Sequence, residues 1–205
     1  MNKLIDIIMI LSLPILMAYL LVGRQFHEYL GVLMLVLFIV HNGLNYRWYR
    51  GLLKGRYSKI RIFSTIINLL LLLSMVGMMA SAIIISRYVF SFSDLGHLSS
   101  YGRAIHLSLS SSCFVLMSIH AGLHGKKIRK TNLPFRAGSL IICVYGVYSF
   151  YTRGIAGYIF LTTRYAIFDF NEPLLIFFVD YLSMMWLFMV IGYSIKNKGI
   201  ISTER

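Results

Sequence analysis

Charged residues are scarce in this sequence. Only 13% of its 205 residues are Asp, Glu, Lys or Arg, and just seven of them are acidic. Soluble globular domains carry about 25% charged residues, so the composition excludes an ordinary soluble domain. Disorder is excluded as well, because disordered segments have low hydrophobicity. Here 58% of the residues are hydrophobic and the mean hydropathy is +0.74.

Cysteine is also nearly absent. The two cysteines, Cys113 and Cys143, lie inside separate apolar runs and form neither a C-x-x-C nor a C-x-x-C-H motif. This pattern excludes a disulfide framework. We predict that both side chains act as small core hydrophobes.

Long apolar runs make up most of the chain. A transmembrane helix needs about 20 apolar residues, and six runs are predicted to span, at about 4–22, 27–46, 62–86, 103–124, 138–152 and 173–194. We therefore predict an all-α fold, a polytopic transmembrane helical bundle of about six spans, in one integral membrane domain over residues 1–205. The stretch 153–171 is too mixed to span and is expected to form a short interfacial helix or a re-entrant segment. The first run lacks a small-residue cleavage site, so we expect a retained helix rather than a signal peptide.

The basic residues are distributed unevenly along this pattern. The formal net charge is +13, and fifteen of the 20 Lys and Arg residues fall in the connections on one side of the predicted bundle. An excess of Lys and Arg marks cytoplasmic loops, so both termini are predicted to be cytoplasmic. The positive net charge is therefore explained by the membrane topology and by contact with anionic membrane lipid. Nucleic acid is not an expected partner.

Histidines are the main candidates for chemistry. His27 and His41 lie on the second predicted span and His106 and His120 on the fourth, each pair separated by 14 residues. Fourteen residues advance about 21 Å along a helix and complete nearly four turns, so each pair lies on one face with one His near each membrane surface. Because the two spans run in the same direction, His27 is predicted to lie level with His106, and His41 with His120.

Two imidazoles that face each other at one depth can ligate the iron of a bis-His haem, since neutral imidazole is a good iron ligand. We predict two haem b groups in a four-helix haem-binding core over about residues 4–125, followed by C-terminal spans at about 138–194. Hydrogen bonding between helices is the alternative explanation for an intramembrane His. Zinc is disfavoured, because no Cys, Asp or Glu joins either pair at ligand spacing.

Five further residues are candidates for cofactor binding. Gly31, one turn beyond the first His, would let a macrocycle approach the backbone. Gly77 belongs to a stripe of small residues on the third span, which helix packing also explains. Arg24 and Arg103 near the outer His pair, and Arg47 near the inner pair, would neutralise haem propionates or serve as anchors at the membrane boundary.

Three runs of the sequence resemble the flavinylation-associated cytochromes, small bacterial membrane proteins taken to be haem-bearing electron carriers. These runs are HNGLNYRWY (41–49), GRY (55–57) and HAGLH (120–124). The resemblance covers about residues 25–125 well and the last two spans loosely. The sequence departs from the family at Asn42, where members often have a second His.

The resemblance implies which residues ligate each haem. Carried over by motif, His41 and His120 would bind one haem, and His27 and His106 the other. The paired-His geometry is also similar to the cytochrome b subunit of respiratory quinol-oxidising complexes. The resemblance further implies a bacterial cytoplasmic (inner) membrane and an extracytoplasmic flavoprotein as redox partner.

Three more ionisable residues need an interpretation. His124, one turn beyond His120, is expected at the cytoplasmic interface. There it would bind a quinone head group or carry a proton. The alternative is a structural role, either in an interfacial hydrogen bond or in a contact with a haem propionate. Asp180 in the last span is a candidate proton relay or quinol-site base, with a buried hydrogen bond between helices as the alternative. His97, in an outer loop, needs no functional explanation.

The leading hypothesis is transmembrane electron transfer through two stacked haems, from a membrane quinol or a cytoplasmic donor to an extracytoplasmic acceptor. Bis-His coordination leaves no open position on the iron, which favours electron transfer over oxygen activation. One alternative is a membrane quinone oxidoreductase that takes electrons from superoxide through a funnel of Arg24, Arg87 and Arg103, opposed by Glu28 and Asp94. A haem-free proton-coupled carrier is a second alternative, disfavoured because the sequence has no inverted repeats.

Overall fold

The structure is a computed structural model that describes residues 3–91, 98–125, 132–166, 169 and 172–203, the last six by their backbone alone. Across these residues the chain is helical and contains no β-strand. Asp94 and His97 lie outside the described residues, as do the basic residues between 126 and 130. The helices are α1 (Lys3–Met17), α2 (Tyr19–Val22), α3 (Arg24–Leu44), α4 (Tyr46–Gly51), α5 (Lys59–Ile85), α6 (Ser99–His124), α7 (Leu133–Thr152), α8 (Ile155–Ile159) and α9 (Leu174–Thr203).

Five of these helices are long and apolar enough to cross a membrane. They are α3, α5, α6, α7 and α9, and each has at least 20 residues. Twenty residues in an α-helix extend about 30 Å, the thickness of the hydrocarbon core. The prediction of an all-α transmembrane helical bundle is confirmed, and the protein is a multi-pass membrane protein.

The first predicted span is divided into two shorter helices. α1 has 15 residues and contains Pro14, and the chain leaves helical geometry at the fully buried Ala18 before α2 begins. Proline lacks the backbone N–H that the interior of an α-helix needs. A helix of 15 residues is about 22 Å long, shorter than the hydrocarbon core. The run at about 4–22 therefore consists of two helical pieces rather than one straight helix.

A short helix follows α7, inside the stretch that is too mixed to span. Gly154 has a positive φ of 62°, a conformation that favours glycine, and it turns the chain into the five-residue α8. Ile155 and Tyr158 are buried, and Ser108 Oγ on α6 donates a hydrogen bond to the Ile159 carbonyl at 3.0 Å. α8 is thus fixed against α6.

Small residues bring the central helices into close contact. α6 packs against α5 and α9, and α9 also packs against α7. A Cβ added to Gly122 on α6 would collide with the Met189 carbonyl, and one added to Gly192 on α9 would collide with the Ile119 carbonyl. Glycine permits this close spacing of helices in membranes. α5, α6, α7 and α9 therefore form the tightly packed part of the bundle.

α3 is packed less tightly than these helices. It contacts α1 and α2, and Met34 is its one buried residue. A cavity of about 660 Å³ lies between α3 and the pair α5 and α6. The bundle therefore leaves an internal space beside the helix that carries His27 and His41.

Candidate cofactor-binding cavity

The cavity wall is largely apolar. Its volume of about 660 Å³ falls within the ~300–1,000 Å³ range of ligand and cofactor pockets. The wall reaches Arg153, Phe177 and Tyr181, so it extends beyond the predicted core at about residues 4–125. Four helices contribute methionines to it: Met17, Met34, Met75, Met78, Met79 and Met117. Methionine fills irregular space and adapts to large ligands, so this wall suits a bulky hydrophobic group.

His27 on α3 and His106 on α6 both line this cavity, and their rings form an edge-on contact. The ring centroids are 6.2 Å apart, and the ring planes are inclined at 73°. This separation lies within the ~4.5–7 Å range of ordinary aromatic pairs. Because a bond from a metal to an imidazole nitrogen is ~2 Å long, both rings would also be near enough to hold one metal ion between them.

Hydrogen bonds orient the ring of His106. Its Nδ1 lies 3.2 Å from the Met78 carbonyl and 3.3 Å from Ser81 Oγ, both on α5. Because a carbonyl only accepts, Nδ1 carries the proton and the lone pair of Nε2 is available to a metal. His27 Nδ1 is buried and has no hydrogen-bond partner in the described part of the chain. Buried nitrogens without a partner are rare, so this nitrogen is a candidate contact for a bound group.

The two candidate glycines have different surroundings. A Cβ added to Gly31 would meet no atom of the described residues within 4 Å, and Gly31 lines the cavity. A Cβ added to Gly77 would lie 2.8 Å from Leu109 Cδ1 on α6. Gly31 therefore borders open space, whereas Gly77 belongs to the packing contact between α5 and α6.

Two of the three candidate arginines lie at the cavity. Arg24 and Arg103 are exposed and line it, together with His27 and His106. Arg47 is exposed on α4, beyond the other end of α3. The arginines predicted near the outer His pair thus share the cavity with that pair.

His41, His120 and His124 form a polar cluster. His41 Nδ1 lies 2.8 Å from Asp6 Oδ1 on α1, and His120 Nδ1 lies 2.8 Å from Asn68 Oδ1 on α5. The ring of His124 contacts that of His120, with 4.5 Å between their centroids. Because both oxygens accept, the two Nδ1 atoms carry protons, and the Nε2 lone pairs of His41 and His120 are available to a metal. None of these histidines belongs to the described wall of the large cavity.

Asp6 and Asn68 are functional candidates that histidine spacing does not reveal. Each lies far along the chain from its partner, 35 residues from His41 and 52 from His120 respectively. In the sequence, the one indication of their importance is that both lie inside apolar runs. A polar side chain in such a run needs a partner and usually marks function.

Glu28 ties α3 to the end of α5. Its carboxylate accepts a hydrogen bond of 2.7 Å from Ser86 Oγ. It also accepts hydrogen bonds of 3.0–3.1 Å from the backbone N–H groups of Arg87, Tyr88 and Val89. The negative charge next to His27 in the sequence is therefore engaged by the segment that follows α5.

Asp180 is held in a buried ionic network between α7 and α9. It is 6% exposed and accepts hydrogen bonds from Tyr145 at 2.6 Å, Ser149 at 3.1 Å and the Arg153 guanidinium at 2.8 Å. Arg153 also pairs with Glu172. The hydrogen bonds to Glu172 and then to Asp180 raise the pKa of Arg153, so the guanidinium stays charged. The inter-helix hydrogen bond considered for Asp180 is therefore present.

Metal-ligand sets of the usual protein kind do not occur in the described ranges. No group of three or more His, Cys, Asp or Glu side chains is placed there to hold a metal ion. A structural or catalytic zinc ion takes three or four protein ligands. A metal bound by one of the His pairs would need the rest of its coordination from a non-protein group.

Comparison with protein-family models, with curated proteins and with solved structures finds no match to the chain. One fold supports many activities, so the function of a protein depends on the chemistry of its sites. The two histidine groups are the described sites whose chemistry suggests a function.

Proposed function

We propose that this membrane protein is an electron carrier that binds one haem b between His27 and His106 and a second between His41 and His120. Electrons would cross the membrane from a quinol or a cytoplasmic donor to an extracytoplasmic acceptor. The observation that carries the proposal is the 6.2 Å separation of the His27 and His106 ring centroids beside a largely apolar cavity.

The donor set at the cavity fits a haem better than a bare ion. His27 and His106 would supply two imidazole ligands, and a porphyrin would supply the remaining nitrogen ligands of the iron. The partnerless Nδ1 of His27 and the open space beside Gly31 are both consistent with a bound group. When bound, haem would supply a one-electron iron couple without an open coordination position, which favours electron transfer over oxygen activation.

The residues around the cavity would orient and shield the cofactor. The Met78 carbonyl holds the His106 ring in the tautomer that leaves Nε2 free. The methionine side chains of the wall would exclude water from a bound macrocycle. Arg24 and Arg103 are exposed at the same cavity and would pair with the two propionates, because guanidinium and carboxylate groups form strong bidentate hydrogen bonds.

The second haem rests on the hydrogen bonding of the other histidine group. His41 donates to Asp6 and His120 donates to Asn68, each at 2.8 Å. Metal-bound histidines commonly donate their second N–H to a carboxylate or carbonyl, which fixes the ring and raises its basicity. The matched 14-residue spacing of the four ligands supports the same assignment.

Orientation and partners follow from the charge pattern and the sequence resemblance. We place both termini in the cytoplasm of a bacterium, since fifteen of the 20 Lys and Arg residues lie on one predicted side. His27 and His106 then face the extracytoplasmic half of the membrane. A membrane quinone and an extracytoplasmic flavoprotein are the partners we propose.

Electron transfer across sealed vesicles tests this function. Purified protein would be reconstituted into liposomes that enclose hexacyanoferrate(III), with dithionite added outside. We expect rapid loss of hexacyanoferrate(III) absorbance only when the protein is present, and slow loss with His27→Ala or His106→Ala. Gln25→Ala, an exposed neighbour on α3, is the control and should match wild type. Equal rates with and without protein would contradict the proposal.

A further inference from the structure

Five arginines and no lysine line the described cavity wall. The five are Arg24, Arg87, Arg103, Arg153 and Arg164. Arg153 is paired with Glu172 and Asp180. The other four are exposed. We call Arg24, Arg87, Arg103 and Arg164 the arginine rim.

The acidic residues at this cavity leave the rim strongly positive. Glu28 and Asp169 also line the cavity. The Glu28 carboxylate already accepts four hydrogen bonds from residues 86–89. The four guanidinium groups therefore outnumber the carboxylates around the same opening, and they create a positive potential that attracts anions.

The choice of arginine over lysine indicates the kind of anion. Guanidinium is planar and binds carboxylates through two parallel hydrogen bonds, whereas the lysine ammonium is a compact, strongly hydrated charge. A haem b carries two propionates, for which Arg24 and Arg103 suffice. Arg87 and Arg164 then remain for carboxylates that come from outside the protein.

The rim also has the composition of a protein interface. Tyr165, next to Arg164 and on the same cavity wall, is 79% exposed. Arginine and tyrosine are the residue types enriched at protein–protein contacts. The rim residues come from α3, the segment after α5, α6 and the segment after α8, so the positive surface is spread over several elements and is suited to a partner larger than a single small anion.

We infer that the arginine rim is the docking surface for a soluble redox protein with an acidic face, which receives one electron per encounter over the cavity. This inference rests on the proposed electron-transfer function and names the chemistry of its acceptor. Exposed arginines at the extracytoplasmic end run against the usual placement of positive charge, and docking gives them a purpose there. Opposite charges at the two surfaces would steer encounter and fix the orientation of the partner.

Two soluble one-electron acceptors of opposite charge test the docking surface. Plastocyanin is an acidic copper protein, and cytochrome c is a basic haem protein. The membrane protein would be reduced with dithionite, freed of the excess reagent and mixed with each oxidised acceptor by stopped flow. One electron leaves the membrane protein in each reaction. It reduces copper(II) to copper(I) in plastocyanin, or iron(III) to iron(II) in cytochrome c. The variants are Arg87→Gln with Arg164→Gln, and Arg87→Lys with Arg164→Lys.

We expect wild type to reduce plastocyanin faster than cytochrome c at low ionic strength. High salt should remove this difference in rate, because salt screens the interaction between exposed charges. The double Gln variant should lose about tenfold in the second-order rate with plastocyanin and lose nothing with cytochrome c. The double Lys variant should lose less than the double Gln variant and more than wild type, since lysine keeps the charge but not the two parallel hydrogen bonds of guanidinium. Arg50→Gln with Lys54→Gln, exposed on the α4 side of the protein, is the matched control and should behave as wild type.

Binding measured without electron transfer separates this inference from the proposed function. Surface plasmon resonance of plastocyanin on immobilised protein should show tighter binding to wild type than to the double Gln variant, whether or not haem is present. Selective binding by a protein that lacks haem would support the docking surface and contradict the electron-transfer function. A protein that contains haem but reduces both acceptors at rates unaffected by the double Gln change would overturn the docking surface and leave the carrier function standing.

Discussion

His27 and His106 differ in the hydrogen bonding of their Nδ1 atoms. Its Nδ1 is buried without a partner within the residues that the structure describes, whereas His106 Nδ1 bonds to α5. Leaving a buried polar atom unsatisfied costs about 1–3 kcal/mol. A bound group that contacted this nitrogen would offset the cost, and this is one reason for proposing a cofactor at the cavity.

Gly31 offers a direct way to fill the cavity by mutation. A Cβ at this position meets no described atom within 4 Å, so Gly31→Phe should fold normally and place its ring in the cofactor space. We predict that the haem content falls from two to one per chain, with little change in the thermal unfolding midpoint. Gly31→Ala adds one methyl group and should retain both haems. Full haem occupancy in Gly31→Phe would show that no haem lies beside residue 31.

Asp6 is expected to act through His41 as a positioning residue. A hydrogen bond to an ionised acceptor is roughly twice as strong as one to a neutral acceptor, so the carboxylate makes the His41 imidazole a more basic ligand. Asp6→Asn should raise the reduction potential of one haem by roughly 59 mV, the value of a tenfold change for a one-electron couple. Optical redox titration measures this shift, and Asp6→Glu should restore the lower potential. Superimposable titrations of Asp6→Asn and wild type would argue against ligation by His41.

The contact between α6 and α9 depends on glycine at two positions, Gly122 and Gly192. In each case an added Cβ would meet a backbone carbonyl of the opposite helix, which cannot rotate away as a side chain does. Gly122→Ala should therefore destabilise the protein by about 1–3 kcal/mol, the usual cost of overpacking, although alanine alone favours helix formation. Thermal unfolding in detergent, followed by circular dichroism, measures the change.

Gly43 provides the matched control on α3. An added Cβ there meets no atom of the described residues within 4 Å. Gly43→Ala should be as stable as wild type or slightly more stable, because alanine has the higher helix propensity. If Gly122→Ala and Gly43→Ala unfold at the same temperature, the close approach of α6 and α9 is not important for stability.

Helix positions were predictable where a long apolar run alone determines them. The runs expected at about 62–86 and 103–124 correspond to α5 and α6, with differences of a few residues at the starts. The division of the first run into α1 and α2 was not predictable in the same way. It occurs at Ala18, which is fully buried, and burial depends on neighbouring helices rather than on local sequence.

Side-chain contacts between helices were likewise only partly predictable from the sequence. Periodicity placed His27 and His106 at one level because helix geometry is regular, and the structure has their rings 6.2 Å apart. The partners of His41 and Asp180 come from other helices, namely Asp6 on α1 and Arg153 after α7. Such contacts depend on how the helices pack, which the spacing of residues along one helix does not determine.

The number of membrane crossings in the whole molecule depends on whether α1 and α2 together cross the membrane. Five helices are long enough to span, and α1 with α2 covers a sixth apolar run. If all six cross, the two termini lie on the same side, as the charge pattern predicts. Reporter fusions at each terminus should both give the cytoplasmic signal, with green fluorescent protein bright and alkaline phosphatase inactive. Opposite signals at the two ends would mean that α1 and α2 do not cross the membrane.

The proposed binding of two haems, with their histidine ligands, is the central claim about the whole molecule. The most direct test is a reduced-minus-oxidised optical spectrum of the purified protein, combined with the ratio of haem to protein. We predict b-type bands with two haems per chain in wild type, and one haem per chain in each of His27→Ala and His106→Ala. A wild-type protein without b-type bands, or a His27→Ala variant that keeps both haems, would contradict the assignment of the cavity as a haem site.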